Sequence, residues 1–301
     1  MLKVLFLGYG EIGCLCLEQL IRSDIEVIGV VPRTSDLPDI HNLYSVSKLA
    51  RTSNLPLFSH KQLSSVQFLE YLISENLDYV ISVQYDRILR PPLINTPQLD
   101  CLNLHFSLLP RLRGCYPTKW AIIEESTTGV TLHSIDEGID TGDILDQVEV
   151  DITSMETDFS LYQKCVKAAN SLFEKNIIFM KERDFPKRRT QINENSSCHP
   201  QKLPFEGFLD LHNNLDFCDR FLRAFTFPPF PPAHCILKNK EVGLQAPVHK
   251  EKKSSSTVPG NCSLRKDKLL AVECLDGILY FDKLWVKGEK TSPHELFLDI
   301  N

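Results

Sequence analysis

Short apolar runs alternate with segments of helical spacing over the first 185 residues, and this alternation constrains the fold more than any other feature. The runs 3–10 (KVLFLGYG), 26–32 (EVIGVVP) and 77–85 (LDYVISVQY) are typical of buried strands. Between them, segments such as 11–23 (EIGCLCLEQLIRS) and 65–76 (SVQFLEYLISEN) carry apolar residues three or four positions apart. Strands that alternate with helices in this way predict an α/β domain with a mostly parallel sheet.

The composition changes after residue 185, which predicts a second domain. Residues 186–204 (PKRRTQINENSSCHPQKLP) are polar and bounded by prolines, as in a linker or an extended crossing segment. Residues 205–301 contain a helical stretch and several short strand-like runs, with turns expected at Asp276-Gly277 and Lys287-Gly288. We therefore expect an α/β domain over 1–185, a linker over 186–204 and a small, mainly β domain over 205–301.

The bulk composition indicates an ordinary soluble protein. The chain has 301 residues, 43% of them hydrophobic, and a formal net charge of -6, which argues against broad electrostatic attachment to nucleic acid. No apolar run is long enough to span a membrane, and the N-terminal run predicts a buried strand, not a signal peptide. The 10 cysteines include no CxxC pair, so we expect reduced thiols, no metal site and a cytoplasmic location.

A glycine motif follows the first predicted strand. Residues 8–13 (GYGEIG) match the GxGxxG pattern of dinucleotide sites, between a strand and a helix as such a site requires. The second strand ends in Pro32-Arg33 without the acid that would hold a ribose, and Asp36 comes several residues later. Arg33 would suit a 2′-phosphate, so an NADP-dependent oxidoreductase is one alternative. The other is that the glycines only permit a tight turn and close packing.

An asparagine and a histidine lie two residues apart near the middle of the chain, and an acidic loop follows. Asn103 and His105 alternate along a predicted strand, so their side chains lie on the same side of it. A histidine can accept a proton near neutral pH, and an asparagine amide can donate to an oxyanion. A carboxylate of the loop 136–143 (DEGIDTGD), Asp136 or Asp140, could orient the histidine. These groups predict acyl transfer to an amine.

The segment around these groups resembles the folate-dependent formyltransferase family. The hallmarks of the family occur in order as NLHFSLLPRLRG (103–114), PTKWAI (117–122) and GVTLHSIDEGIDTGDIL (129–145). The resemblance implies a Rossmann-like domain that binds N10-formyltetrahydrofolate as formyl donor, without NAD or a metal. It implies that Asn103 donates a hydrogen bond to the oxyanion, that His105 accepts the proton of the amine or stabilises charge in the tetrahedral intermediate, and that Asp140 orients His105.

The resemblance also implies which two loops hold the folate. In the family, one loop binds the pterin through main-chain contacts, and the aspartate loop closes the other side of the pocket. The matching residues are Gln84, Tyr85, Arg87, Ile88 and Leu89 in the first loop, and Ile135, Asp136 and Gly138 in the second.

The acceptor amine is predicted from the rest of the chain. Residues 258–288 resemble the small OB-like barrel of two branches of the family, one acting on methionyl-tRNA and the other on nucleotide-linked amino sugars. The tRNA branch usually carries a long basic insertion after the second strand, whereas residues 32–39 (PRTSDLPD) are short, with one arginine and two aspartates. A tRNA contact would need more positive charge. We therefore favour a nucleotide-sugar N-formyltransferase, with methionyl-tRNA formyltransferase as the alternative.

Two further segments resemble the sugar branch and supply candidate acceptor contacts. RGCYPTKW (113–120) contains Tyr116, and RAFTFPPFPPA (223–233) contains Phe225 and Phe230, whose rings could stack on a nucleotide base or simply pack the protein. The basic run KRR (187–189) could meet a pyrophosphate or lie in solvent. We expect a small-molecule partner, the primary amine of an amino-sugar nucleotide, no membrane partner, and a homodimer through exposed β surface of the tail.

Overall fold

The structure is a computed structural model of the chain, and it describes residues 1–33, 44–253 and 257–298. Residues 34–39 of the short loop that weighed against tRNA binding, Asp36 among them, lie outside this described part.

The helices and strands follow the predicted order. The helices are α1 (Gly10–Arg22), α2 (Val46–Thr52), α3 (Val66–Ser74), α4 (Pro117–Glu124), α5 (Asp158–Glu182) and α6 (Leu215–Ala224). The strands are β1 (Leu2–Gly8), β2 (Ile25–Pro32), β3 (Tyr79–Val83), β4 (Asp100–His105), β5 (Arg113–Gly114), β6 (Thr128–Ser134), β7 (Ile144–Val150), β8 (Cys198–His199), β9 (Ala233–Leu237), β10 (Lys240–Leu244), β11 (His249–Lys252), β12 (Cys262–Leu264), β13 (Leu270–Cys274), β14 (Gly277–Phe281), β15 (Leu284–Val286) and β16 (Glu289–Thr291). Short 3-10 segments lie at His60–Ser64, Leu93–Asn95, Pro204–Gly207 and Pro293–Phe297.

The chain divides into two compact units, and each is assembled from separate stretches of sequence. Unit 1 comprises Met1–Cys115, Thr127–Asp151 and Gln163–His199. Unit 2 comprises Tyr116–Ser126, Ile152–Tyr162 and Pro200–Asn301. The sequence predicted a single passage from the first domain to the second, through a linker between residues 185 and 204. In the structure, α4 and the first turn of α5 precede residue 185 but belong to unit 2. Residues 186–199 of the predicted linker belong to unit 1.

Unit 1 contains a six-stranded sheet in the order β2-β1-β3-β4-β6-β7. β1 pairs in parallel with β2 and β3, and β3 pairs in parallel with β4. β6 runs antiparallel to both β4 and β7. The sheet is therefore mostly parallel with one antiparallel hairpin at its end, which confirms the predicted α/β class.

The central strands are buried on both faces, as parallel strands between helices must be. Every residue of β3 is buried, and β1 is buried except at Lys3. α1 contributes Ile12, Cys16 and Leu20, which recur at the helical period and are all fully buried. α3 begins after Ser65, whose hydroxyl accepts a hydrogen bond from the amide of Phe68 and so satisfies one free N–H of the first turn.

Close packing accounts for the glycine motif at residues 8–13. A Cβ on Gly8 would lie 2.5 Å from the ring of Phe6, and one on Gly13 would lie 3.1 Å from the Val46 side chain. Gly10 has a φ of 66°, which favours glycine. Arg33, the candidate partner of a 2′-phosphate, instead pairs with a carboxylate of its own unit, because its Nε lies 2.8 Å from Oδ2 of Asp86.

Unit 2 is mainly β, as predicted. Its strands form two four-stranded antiparallel sheets, in the orders β16-β15-β10-β9 and β11-β14-β13-β12. The buried ammonium group of Lys119 links three helices. Lys119 of α4 donates to Oδ2 of Asp158 at 2.7 Å and to the carbonyl of Ala224 at 3.0 Å, so α4, α5 and α6 meet at one ammonium group.

In the part of the chain that the structure describes, no helix is long and apolar enough to cross a membrane.

Candidate active site

The candidate site of unit 1 is built on β4 and the antiparallel strand beside it. Asn103 and His105 both lie on β4, at the end of its parallel pairing with β3. The register of β4 and β6 places Asn103 directly opposite His133. This pairing adds a second histidine to the predicted group, and the antiparallel pairing of β4 with β6 brings it there although β5 and α4 separate the two strands in sequence.

His133 is a neutral hydrogen-bond acceptor toward Asn103. Its Nδ1 lies 2.7 Å from the carbonyl oxygen of Ser134, which can only accept, so Nδ1 carries the hydrogen. Its Nε2 therefore accepts from Nδ2 of Asn103 at 3.1 Å. Burial lowers the pKa of His133 to about 4, although the nearby Asp140 carboxylate opposes this shift. The amide of Asn103 is thus fixed by one hydrogen and keeps its other hydrogen for a substrate oxygen.

His105 is held by a backbone carbonyl on one side and faces a carboxylate on the other. Its Nε2 donates to the carbonyl oxygen of Leu112 at 2.7 Å, which assigns the hydrogen of the neutral ring to Nε2. Its Nδ1 therefore carries the lone pair, and it lies 3.6 Å from Oδ2 of Asp140. Only 7% of the His105 surface is exposed, so the ring has little freedom. Nδ1 is the nitrogen that can accept a proton, and Asp140 would stabilise the resulting cation.

Asp140 lies between the two imidazoles. Its Oδ2 accepts from the amide of Gly114 at 2.8 Å, and its Oδ1 lies 3.5 Å from Nε2 of His133. Burial raises the pKa of Asp140, but His105, His133, the Gly114 amide and Arg113 outweigh that effect, so the pKa lies below its ordinary value. The carboxylate is therefore ionised at neutral pH.

The other acid considered for this role, Asp136, is engaged within its own loop. Its Oδ1 accepts from the amide of Gly138 at 3.0 Å and from the hydroxyl of Thr141 at 2.5 Å. Gly142 packs tightly, because a Cβ there would lie 2.1 Å from the carbonyl oxygen of Ser134. Of the two acids, the loop therefore directs Asp140 toward His105.

The two loops predicted to hold folate share one apolar cluster. Leu89 is a buried member of the cluster that includes Leu5, Leu7 and Val80, and Tyr85 and Ile135 pack against it. The hydroxyl of Tyr85 lies 2.9 Å from Nδ1 of His60, and burial, with a smaller effect of Asp86, raises its pKa to about 12. Gln84 has a left-handed φ of 54°, which turns the chain as it leaves β3.

The remaining residues of these two loops lie at the surface. Ile88 is 64% exposed, and half of the Arg87 side chain is exposed. Asp136 and Gly138 are exposed as well. The assignment of all eight loop residues to folate stays a prediction.

The residues predicted to bind the acceptor lie in unit 2. Tyr116 precedes α4 with a φ of 58° and is 37% exposed, and Phe230 is 53% exposed. Phe225 is only 3% exposed, with its ring 4.8 Å from that of Phe221 and 5.0 Å from the Lys119 ammonium. Phe230 therefore offers a ring face to a base, and Phe225 does so far less.

The basic run 187–189 is engaged within unit 1. Nζ of Lys187 lies 2.9 Å from Oδ1 of Asp146, Arg188 pairs with Asp100, and Arg189 donates to Gln147. Residues 1–33, 44–253 and 257–298 contain no group of three or more His, Cys, Asp or Glu residues that could hold a metal ion.

Comparison with known families shows which family the chain belongs to. Residues 2–177 match the family model described as formyl transferase, and residues 204–300 match the formyl transferase C-terminal domain.

The chain belongs to the formyl transferase family. The predicted resemblance to formyltransferases is confirmed, and with it the class of enzyme.

Three relatives show how the chain lies within this family. It is 32% identical over 234 residues to GDP-perosamine N-formyltransferase of Brucella melitensis, covering 77% of this chain and 87% of the relative. It is 27% identical over 294 residues to methionyl-tRNA formyltransferase of Clostridioides difficile, covering 96% of this chain and 94% of the relative. It is 31% identical over 249 residues to the bifunctional polymyxin resistance protein ArnA of Wigglesworthia glossinidia brevipalpis, covering 80% of this chain but only 37% of that longer protein.

A solved structure supports the same fold. The sugar 3N-formyl transferase WlaRD, crystallised in the presence of dTDP and 5-N-formyl-THF, superimposes with a TM-score of 0.71. The alignment covers 93% of this chain and 96% of that one at 23% sequence identity.

The candidate site contains groups that the sequence did not indicate. They are His133, the carbonyl of Leu112, the amide of Gly114, and the side chains of Arg113 and Gln191. His133 lies in the hallmark stretch 129–145, but its role depends on the register of an antiparallel pair, which the sequence does not state. Gln191 lies in the stretch interpreted as a linker, and its composition gave no signal of a contact with the aspartate loop.

Proposed function

We propose that the protein transfers the formyl group of N10-formyltetrahydrofolate to the primary amine of a nucleotide-linked amino sugar. The observation that carries the proposed chemistry is the group formed by Asn103, His105 and Asp140 within a formyl transferase fold. The tetrahydrofolate donor and the individual roles are parts of the proposal.

The geometry suits the two demands of formyl transfer. The amine nitrogen bonds to the formyl carbon, and the carbonyl oxygen of that group gains negative charge. The second hydrogen on Nδ2 of Asn103 would donate to this oxyanion, since His133 holds the first one at 3.1 Å. Donors that are fixed before the reaction need no reorganisation when the charge develops.

The proton of the amine would go to Nδ1 of His105. That nitrogen carries the lone pair, because Nε2 is bound to the Leu112 carbonyl at 2.7 Å. The ionised Asp140 stabilises the imidazolium that forms. When the bond between the formyl carbon and N10 breaks, N10 takes up the proton that His105 had accepted, and the products are an N-formylated sugar nucleotide and tetrahydrofolate.

A nucleotide sugar is the acceptor class that we favour. A GDP-perosamine N-formyltransferase shares 32% identity over 87% of its length. The chain carries a net charge of -6, and its basic run 187–189 is engaged with side chains of its own unit. Tyr116 and Phe230 are the side chains we propose for acceptor contacts, because both are exposed. The product would enter the synthesis of a surface polysaccharide.

Methionyl-tRNA is the second candidate acceptor. The Clostridioides difficile methionyl-tRNA formyltransferase aligns over 96% of this chain, a longer alignment than that of the sugar enzyme. This candidate requires the protein to bind a nucleic acid, so its activity should fall steeply as salt is raised.

One assay separates the alternatives. The purified protein is incubated with N10-formyltetrahydrofolate and either a panel of amino-sugar nucleotides or charged methionyl-tRNA, and mass spectrometry detects the gain of one formyl group. We expect formylation of at least one amino-sugar nucleotide and none of the tRNA. Formylation of the tRNA alone would replace our proposal by the second candidate. Oxidation of NADPH without formyl transfer would instead support the oxidoreductase.

We also propose a cytoplasmic location and a homodimer. The first rests on the 10 cysteines, which are all free thiols, and the second on β surface in unit 2. Light scattering of the purified protein measures its mass and tests the dimer.

A further inference from the structure

We propose that Gln191 and Arg113 form a clamp that positions Asp140 for catalysis. This inference rests on the proposed function, in which Asp140 orients His105. Neither residue touches the reacting groups themselves, so both are positioning residues, not catalytic ones.

Gln191 holds the backbone of the loop 136–143 at two positions. Its Nε2 donates to the carbonyl oxygen of Asp140 at 2.8 Å and to that of Gly142 at 2.7 Å. Both hydrogens of the amide are thereby used on the loop. Gln191 thus binds the main chain of Asp140 itself from outside the loop.

Arg113 fixes the amide of Gln191 in the orientation that this donation needs. Its Nη2 and Nε donate to Oε1 of Gln191 at 2.7 and 3.1 Å, and its Nη1 donates to Oδ1 of Asn193 at 3.2 Å. A guanidinium can only donate, so the oxygen of Gln191 must face it and the nitrogen must face the loop. Only 7% of the Arg113 surface is exposed, so water competes weakly for these bonds.

The clamp closes a ring of contacts around Asp140. Arg113 precedes Gly114 on β5, and the amide of Gly114 donates to Oδ2 of Asp140 at 2.8 Å. Gln191 precedes β8, which pairs in parallel with β5. The carboxylate of Asp140 is therefore held from β5, while its carbonyl is held by Gln191.

Asp140 needs such support because its backbone is in a disfavoured conformation. Its φ is 53°, in the left-handed region, where residues other than glycine persist only when their surroundings hold them. Without the clamp, we expect the loop to relax and the carboxylate to leave its position 3.6 Å from Nδ1 of His105. The positive charge of Arg113 also favours the ionised carboxylate.

The test uses two substitutions of Gln191 and a matched control. Gln191→Leu removes both the acceptor for Arg113 and the donor to the loop carbonyls. Gln191→Glu keeps an acceptor for Arg113 but cannot donate to the carbonyls. Gln201→Leu makes the same change at an exposed glutamine and serves as the control. We expect both Gln191 variants to lower kcat roughly 10- to 100-fold with KM within about twofold, while the control keeps its activity.

Two readouts separate positioning from a general structural effect. The kcat/KM values of both Gln191 variants should depend on pH differently from those of the wild type, because the Asp140 carboxylate would leave its position beside His105. In an Asp140→Asn background, Gln191→Leu should cause no further loss, because the residue through which it acts is already disabled. Full activity of Gln191→Glu, or losses that multiply in the double variant, would overturn the proposal.

A substrate-free measurement keeps this result distinct from failure of the proposed function. Hydrogen exchange of the Gly114 amide reports its bond to Asp140 in the unliganded protein. We expect the Gly114 amide to exchange at least about tenfold faster in Gln191→Glu than in the wild type or in Gln201→Leu. Unchanged exchange would refute the clamp even if formyl transfer is found. Faster exchange would support it even if no acceptor is found.

Discussion

At the scale of single residues, the chemistry depends on which nitrogen of each histidine carries the hydrogen. Each ring has one nitrogen bound to a backbone carbonyl, Leu112 for His105 and Ser134 for His133. The two rings are bound through different nitrogens, so one presents Nδ1 to Asp140 and the other presents Nε2 to Asn103. In the proposed mechanism, the same residue type therefore supplies a proton acceptor in one place and an amide anchor in the other.

Removing either substrate-facing group should reduce turnover strongly. We expect Asn103→Ala to lower kcat about 10²- to 10³-fold, because one oxyanion donor is lost. His105→Gln should lower it about 10²- to 10⁴-fold, because the proton acceptor is lost. Steady-state kinetics measures both effects, with the exposed His212→Gln as control. If His105→Gln keeps the turnover of the wild type, the role assigned to His105 is wrong.

His133 makes the stability of the fold depend on pH. Its pKa is about 4 in the folded protein and near 6.5 when unfolded, so the unfolded chain takes up a proton first as pH falls. The free energy of unfolding should therefore fall between pH 6.5 and pH 4. Between pH 7 and pH 4.5, His133 should account for about 2–3 kcal/mol of the loss.

Urea unfolding of the wild type and of His133→Gln at these two pH values measures that contribution. The variant should be less stable at pH 7 but should lose less stability on acidification than the wild type. An equal loss in both proteins would show that His133 is not buried in its neutral form.

At the scale of elements, two residues of β5 connect the catalytic loop to the stretch after α5. Gly114 of β5 allows β8 to approach so closely that a Cβ at this position would lie 2.1 Å from the carbonyl oxygen of His199. Gly114 also has a φ of 87°, in the region that favours glycine. Its amide then points at Asp140.

Gly114→Ala should therefore damage both the fold and the site. Gly260→Ala is the matched control, because Gly260 has nearly the same φ, 85°, but no atom within 4 Å of its Cβ position. Each of the two variants should lose about 1 kcal/mol or more of unfolding free energy, because alanine is strained at a positive φ. Gly114→Ala should lose about 1–3 kcal/mol more, from overlap with His199, and should also lose activity. Equal unfolding free energies in the two variants would contradict the close approach.

The elements and the residues of the candidate site differ in how far the sequence could predict them. Apolar periodicity predicted α1, α3 and β3 because burial there follows a local repeat. Asn103 and His105 were predicted because they share one strand. His133 and Gln191 were not, because their contacts depend on strand register and on long-range packing that no local pattern encodes.

At the scale of the whole molecule, the chain builds two units from interleaved segments. The predicted α/β and mainly β regions are both present, but α4 belongs to the second unit. Its buried Lys119 pairs with Asp158 and contacts the carbonyl of Ala224. The sequence could not show which unit α4 packs in, because its partners lie far along the chain.

Because the ring of Phe230 is exposed, we can predict how its loss affects binding of the acceptor. If Phe230 stacks on the nucleotide base, Phe230→Leu should raise KM for the acceptor roughly tenfold and leave KM for the formyl donor unchanged. Phe208→Leu changes another exposed ring of the same unit and serves as the control. Unchanged acceptor KM in Phe230→Leu would remove this residue from the proposed acceptor site.

The formyl-transfer assay tests the proposed reaction directly when mass spectrometry of the acceptor and the release of tetrahydrofolate are measured together. We expect the wild type to add one formyl group to each amino-sugar nucleotide, and Asn103→Ala to be at least about 100-fold slower. The absence of any formylated amino-sugar nucleotide, or equal rates in the two proteins, would contradict the proposal.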